Sequence, residues 1–280
     1  MATARKYHGI HRQQIFHWLA SPEDRIGGLK GKLSPSARRE YTEMLKCSLE
    51  KGIWVKSPRY PECLNNGSFN QPLDKAMACF TEWKLNESRP HTSEYGRMGL
   101  GFSKSWLIKH GGQPVTYFDQ SAKGAFFKNL VSLLKRLNGD PVALDELLFL
   151  AHFTKRIQKP LSRPKGGKAA TKQSKSATNT TLSDPFLRFW SKTMPYLEER
   201  EWRVVEHSSL LKSGHLIAGR RTGDPKFYMP YQPGKELFTL VLPDNEAVSE
   251  VLRTTWFTDR LFPKAAPHVT VLSLQDIGTF

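Results

Sequence analysis

The sequence predicts an α+β fold rather than alternating βαβ units, and three observations carry that expectation. Helical patterns gather in residues 1–60 and 124–153, strand-like runs lie upstream and downstream of the second group, and the composition supplies a core. Hydrophobic residues make up 39% of the 280 positions and aromatics 11%, with seven Trp, which is enough to pack an interior and excludes wholesale disorder. No internal repeat is visible, and the chain reads as one domain over 1–280.

Taken in order, IFHWLA (15–20) is a short apolar and aromatic run that fits a strand or a helix edge. Tyr41, Leu45 and Leu49 form an i, i+4 stripe, with Ser34-Pro35-Ser36 as a start signal and Gly52 as a stop. PECLNNGSFNQPLD (61–74) is rich in Gly, Pro and Asn and reads as a loop, followed by KAMACFTEW as a buried strand. In MGLGF (98–102) the glycines of a strand allow something to approach the backbone closely. Ser103 is placed to cap a short helix, SKSWLIKH, which Gly111-Gly112 would end, and Pro114–Phe118 reads as the next strand. FFKNLVSLLKRLNG and PVALDELLFLAHFTKR read as two helices, Pro141 near the first turn of the second. Further on, EREWRVV, LFTLVLP and HVTVLSLQDI are β-rich, and AVSEVLRTTWFTDRLF reads as one helix.

Charge narrows the function classes. Forty-two Lys and Arg against 26 Asp and Glu give +16 and a pI near 9.8, which argues for a polyanionic partner, nucleic acid first and an anionic membrane surface second. From Leu147 to Ser183 there is no acidic residue but eight basic ones, so the rest of the chain carries only +8. Within that stretch RPKGGKAATKQSKSATNTT has almost no large apolar side chain and reads as a basic mobile loop at about 159–183. It is either a solvated insertion or an arm in which Lys165, Lys168, Lys172 and Lys175 meet phosphates.

The longest apolar stretch, Leu147–Ala151, is far short of the ~18 residues of a membrane span, and the N-terminus leads into no secretory apolar region. The expectation is a cytoplasmic protein with no membrane partner. Cys47, Cys63 and Cys79 stand 16 apart without a CxxC, which points to reduced thiols rather than a disulfide or zinc site.

The chain lacks GxxxxGK[ST], GxGxxG, HExxH and paired CxxC motifs, so ATPase, dinucleotide-fold and zinc hydrolase readings have no support and no metal is expected. Three groups are left. His17 is a ring donor and acceptor flanked by aromatics, or else a histidine satisfied by a backbone carbonyl. Tyr95 with Gly96 sets an aromatic plate beside a glycine, or else serves packing. In EEREWR (198–203), strand periodicity puts Glu199 and Glu201 on one face and Trp202 and Val204 on the other. Two carboxylates on one face repel unless they bind something; the competing account is a salt bridge from Glu201 to Arg97 or Arg203.

The block from Leu73 to Phe118, LDKAMACFTEWKLNESRPHTSEYGRMGLGFSKSWLIKHGGQPVTYF, resembles the core of the abortive phage resistance AbiGi-type family. There a CF-type strand, a His, YG..G.GFSK.W and a PV.Y strand follow in that order. The resemblance extends to EREWRVV, FTLVLP and VTVLSLQDI, and more faintly to IFHW, with the basic loop as an insertion. It implies a phage-defence or toxin–antitoxin component, sometimes labelled the antitoxin.

The order of a His strand, a Tyr in a Gly-rich block and a late Glu is in turn similar to ADP-ribosyltransferases. That similarity implies a split β-sheet core with flanking helices, and NAD as the substrate. Carried over residue by residue, His17 would hold the adenosine ribose, Tyr95 beside Gly96 would stack on nicotinamide, and Glu201 would bind the nicotinamide ribose 2′-hydroxyl. Glu199 would activate the acceptor. Leu19 stands where the pattern often has Thr or Ser, and Tyr95 is far from His17 in sequence.

Such residue types suit the chemistry, because cleaving the glycosidic bond of NAD develops oxocarbenium charge that a carboxylate stabilises. The excess positive charge favours nucleic acid as acceptor, RNA before DNA, since unpaired bases stack on aromatics. The expectation is therefore an antiphage effector transferring ADP-ribose from NAD to nucleic acid, with a cognate antitoxin as a further partner. The alternative is a non-catalytic, nucleic-acid-binding, antitoxin-like component. Convergence of His17, Tyr95 and Glu201 on one cleft discriminates between them.

Overall fold

The computed structural model describes residues 14–23, 33–58, 62–66, 69–82, 92, 95–119, 125–157, 200–219, 225–264 and 268–277. In chain order the elements are β1 (Gln14–Leu19), α1 (Pro35–Lys51), β2 (Ile53–Val55), β3 (Glu62–Asn66), β4 (Phe69–Leu73), β5 (Met77–Thr81), β6 (Met98–Ser103), α2 (Lys104–Lys109), β7 (Gln113–Pro114) and β8 (Thr116–Asp119). They continue with α3 (Ala125–Arg136), α4 (Pro141–Ala151), β9 (Thr154–Ile157), β10 (Glu201–Val205), α5 (Ser208–Lys212), β11 (Ile217–Ala218) and β12 (Phe227–Met229). The chain closes with β13 (Leu237–Leu242), α6 (Asn245–Arg253), α7 (Thr255–Leu261), β14 (Thr270–Ser273) and α8 (Leu274–Ile277).

The fold class is α+β. A seven-stranded mixed sheet runs β14-β13-β6-β1-β5-β10-β7, with β13 and β14 parallel and the other pairs antiparallel. Beside it stand a three-stranded sheet, β11-β12-β2, and two pairs, β3-β4 and β8-β9. A backbone bridge between Lys56 and Met77 ties the three-stranded sheet to β5.

Local signals explain the helix ends. The Ser34 hydroxyl accepts the Ala37 N–H at 3.0 Å, Pro35 sits in the first turn of α1, and the Gly52 N–H closes it on the Ser48 carbonyl. Ser103 caps α2 in the same way. Four expectations need correction. The segment read as a loop forms the hairpin β3-β4. Pro114–Phe118 is divided between β7 and β8, in different sheets. The helix expected to run through Thr154 and Arg156 ends at Ala151, and those residues lie in β9. Residues 245–261 form two helices that break at Thr254.

One face of the large sheet carries the main core. Ile15, Ala78, Phe80, Leu100, Phe102, Val204 and Leu240 pack there against Tyr41 and Leu45 of α1, Trp106 and Leu107 of α2, and Val251 and Phe257 of α6 and α7. The other face carries Phe16, Trp18 and Val241 beneath Leu274 and Ile277 of α8. The glycines of β6 admit close neighbours: a Cβ on Gly99 would lie 2.7 Å from the Trp18 ring, and one on Gly101 2.7 Å from the Phe16 ring. A third, small cluster of Leu73, Val131, Leu134 and Ala151 holds the α3–α4 hairpin together.

Candidate functional site

Strand pairing decides which candidate residues meet. Phe16 and Glu201 face Thr81 from opposite sides, β1 and β10 being the two neighbours of β5. Paired residues share a face, so Glu201 lies on the side of Phe16 and Thr81. His17, one residue along, points to the other side, where its ring meets Phe80 at 5.2 Å between centroids. His17 and Glu201 therefore stand two strands apart, about 10 Å, on opposite faces of one sheet.

His17 behaves as a core histidine. Its Nδ1–H donates to the Cys79 carbonyl at 2.8 Å, and burial pushes its pKa down to about 4, so the ring is neutral at physiological pH.

Glu201 is enclosed by cations. Its Oε1 accepts from Arg203 Nε at 2.7 Å and its Oε2 from Lys155 Nζ at 3.0 Å, and each of these side chains is less than 15% exposed. Arg203 also donates to the His152 carbonyl at 2.6 Å, which ties β10 to the end of α4. Burial opposes ionisation of Glu201, but Arg203 and Lys155 outweigh it and hold the carboxyl below the usual carboxylate range. Cys79, on the same face, is pushed up to about 12 by burial and then by the Glu201 charge, so it is an inert thiol. Among the described residues Cys47 and Cys79 are both free thiols.

Gly96 has φ 121°, and a Cβ there would lie 2.0 Å from the Leu19 carbonyl oxygen. It seats the chain before β6 against the end of β1, leaving Tyr95 exposed at that end. Tyr95 and Gly96 are thus brought to the His17 strand but not to Glu201. Glu199 and the loop lysines Lys165, Lys168, Lys172 and Lys175 lie outside the described residues.

Sequence reasoning offered Arg97 or Arg203 as a partner of Glu201 and missed Lys155, one of the eight basic residues of the acid-free stretch from Leu147 to Ser183. It also missed a polar cavity of about 340 Å³ between the α3–α4 hairpin and the sheet. Asp74, Lys75, Asp145, His152, Glu206 and Lys226 line it, with ion pairs Lys75–Asp145 at 2.5 Å and Lys226–Glu206 at 2.7 Å. His152 is spent on structure there: its Nδ1–H donates to the Leu148 carbonyl and its Nε2 accepts the Lys75 N–H. Among the described residues no group of three or more His, Cys, Asp or Glu is placed to hold a metal ion, and no helix is long and apolar enough to cross a membrane.

Against this geometry stand the comparisons with known proteins. The family model described as "Putative abortive phage resistance protein AbiGi, antitoxin" matches residues 70–232, more than half of the chain and all of β5 to β12. No curated protein and no solved structure matches.

Proposed function

Since the chain belongs to the AbiGi family of abortive phage resistance proteins, described as antitoxins, we propose that it is the non-catalytic, antitoxin-type component of an abortive infection system. It works by binding: a cognate toxin is its protein partner, and its +16 charge recruits nucleic acid, RNA before DNA.

The observation that carries this reading is the state of Glu201. Both carboxylate oxygens are engaged by Arg203 and Lys155, and His17 is buried on the reverse face of the sheet. A carboxylate used in this way is committed to joining β10 to β9, and a ribose hydroxyl would have to share oxygens that already accept from two buried cations. ADP-ribose transfer from NAD is the competing proposal, with Glu201 and Glu199 as catalytic carboxylates and His17 and Tyr95 as the NAD contacts.

One experiment separates the two. The protein and Glu201→Gln are incubated with radiolabelled NAD and pools of RNA, DNA and protein. The expected result is no label transfer by either, with salt-dependent RNA binding by the parent. Transfer by the parent that disappears in Glu201→Gln overturns the antitoxin reading in favour of the transferase.

A further inference from the structure

Four parts of the chain converge on the polar cavity between the α3–α4 hairpin and the sheet. Asp74 and Lys75 come from the link between β4 and β5, Asp145 and Leu148 from α4, Glu206 from the end of β10 and Lys226 from the start of β12. Its volume of about 340 Å³ has room for far more than a water and falls in the range of ligand cavities, roughly 300–1,000 Å³. Its cations are engaged: Lys75 is paired with Asp145, and Lys226 with Glu206 Oε1. The backbone N–H of Glu206 donates to the Ala76 carbonyl at 2.8 Å, which fixes the residue, and its side chain is 16% exposed. The second oxygen, Oε2, is buried without a hydrogen-bond donor, the one such carboxylate oxygen among the described residues. Asp74, itself exposed, adds a third carboxylate beside the two pairs. In a chain of +16 this lining therefore carries one net negative charge.

We propose that this cavity is a binding site for an alkylguanidinium group, whose N–H fork donates to Glu206 Oε2 and to Asp74 while its methylenes lie along Leu148. What the lining lacks decides the occupant. A buried carboxylate oxygen without a partner calls for a donor, and one net negative charge calls for a cation. An anion would meet Asp74 and Glu206 while both lysines are already paired. Among the described residues no three metal-ligating groups converge, which favours an organic cation over a metal ion. A guanidinium is planar and presents five donors in a fixed fork, which suits two acceptors on different elements, whereas an ammonium is a compact, strongly hydrated point charge. The same group occurs on a free alkylguanidine and on an arginine side chain of a protein partner. This site stands apart from the antitoxin reading above and does not depend on it.

The test titrates the full chain with n-butylguanidinium, n-butylammonium and a blocked Gly-Arg-Gly peptide, read by ligand-observed saturation transfer and by backbone amide shifts. Butylguanidinium should bind the parent, move the amides of Lys75, Glu206 and Lys226, and bind more than about fivefold tighter than butylammonium. Glu206→Gln should weaken it roughly 10- to 150-fold, the range for one hydrogen bond to a charged group. Lys226→Gln, at a half-exposed position, frees Glu206 Oε1 and should tighten binding by about two- to fivefold. A loosened fold would weaken binding in both variants, so the opposite sign belongs to the site. Tighter binding of the peptide than of butylguanidinium identifies a protein side chain as the source, and the reverse identifies a free small molecule. No binding of butylguanidinium up to about 10 mM, equal binding of butylammonium, weaker binding by Lys226→Gln, or amide shifts confined to another region overturns the site.

Discussion

The large sheet and the α3–α4 hairpin are held by different physics. In the sheet, apolar side chains from β1, β5, β6, β10 and β13 meet helices α1, α2, α6 and α7 in one continuous core. The hairpin has a small cluster of its own, in which Val131, Leu134 and Ala151 pack with Leu73 of β4, and Val142 and Leu150 of α4 are 68% and 60% exposed. What fastens it to the sheet is polar: Arg203 to the His152 carbonyl, His152 to the Lys75 N–H, Lys75 to Asp145, and Lys155 to Glu201. Apolar burial is non-directional, whereas a chain of ion pairs and hydrogen bonds fixes orientation and responds to pH.

The contrast is broken most directly at Glu201. Replacing it by Ala removes the carboxylate that the buried Arg203 and Lys155 share, and should cost about 3–5 kcal/mol in urea unfolding. A loss below about 1 kcal/mol would mean that the polar seam is incidental.

The second measurement pairs the two apolar clusters. Leu100→Ala, in the sheet, should lower global stability by about 2–5 kcal/mol. Leu134→Ala, equally buried, should act mainly on the hairpin, raising amide exchange in α3 and α4 while β1, β5 and β6 stay protected. Equal loss of protection in both regions would make them one cooperative unit.

The third concerns pH. His17 has its folded pKa lowered from 6.5 to about 4, so between those values the unfolded chain binds the extra proton and stability falls with falling pH. His110 and His152 are lowered in the same direction, burial being the main cause in each. Acidification from pH 6.5 to 4 should cost up to about 3 kcal/mol through His17, and His17→Gln should flatten the melting-temperature profile across that window. An unchanged profile would place the sensitivity in the other histidines. Glu201, whose folded pKa is depressed, contributes stability above the ordinary carboxylate range that is lost on further acidification.

How much of this was legible depended on how local each cause is. Capping by Ser34 and Ser103 is written in neighbouring residues, and both helices appear where expected. The break at Thr254 carries no Gly or Pro and was invisible. β3 and β4 were hidden because Asn65, Asn66, Asn70 and Pro72 are poor strand formers, although Asn66-Gly67 is a hairpin signal. At the candidate site, a salt bridge from Glu201 to Arg97 or Arg203 was the competing account in the sequence, and Arg203 makes one. Lys155 was out of reach because its partner is 46 residues away. The separation of His17 from Glu201 depends on β5 lying between their strands, a pairing that no local pattern encodes.

The glycines of β6 bear on how the chain assembles. Phe16 and Trp18 fit over Gly101 and Gly99 in one alignment, and a slip of a single residue would turn both rings to the opposite face and set His17 over a glycine. The strand so keyed is the first of the sheet to be synthesised, yet both of its neighbours, β5 and β6, come much later in the chain. During translation β1 must wait for about 80 further residues before its slot exists, a high-contact-order step that slows folding. The glycine keyway then acts as a proofreading device, admitting the waiting strand in one alignment and rejecting the rest.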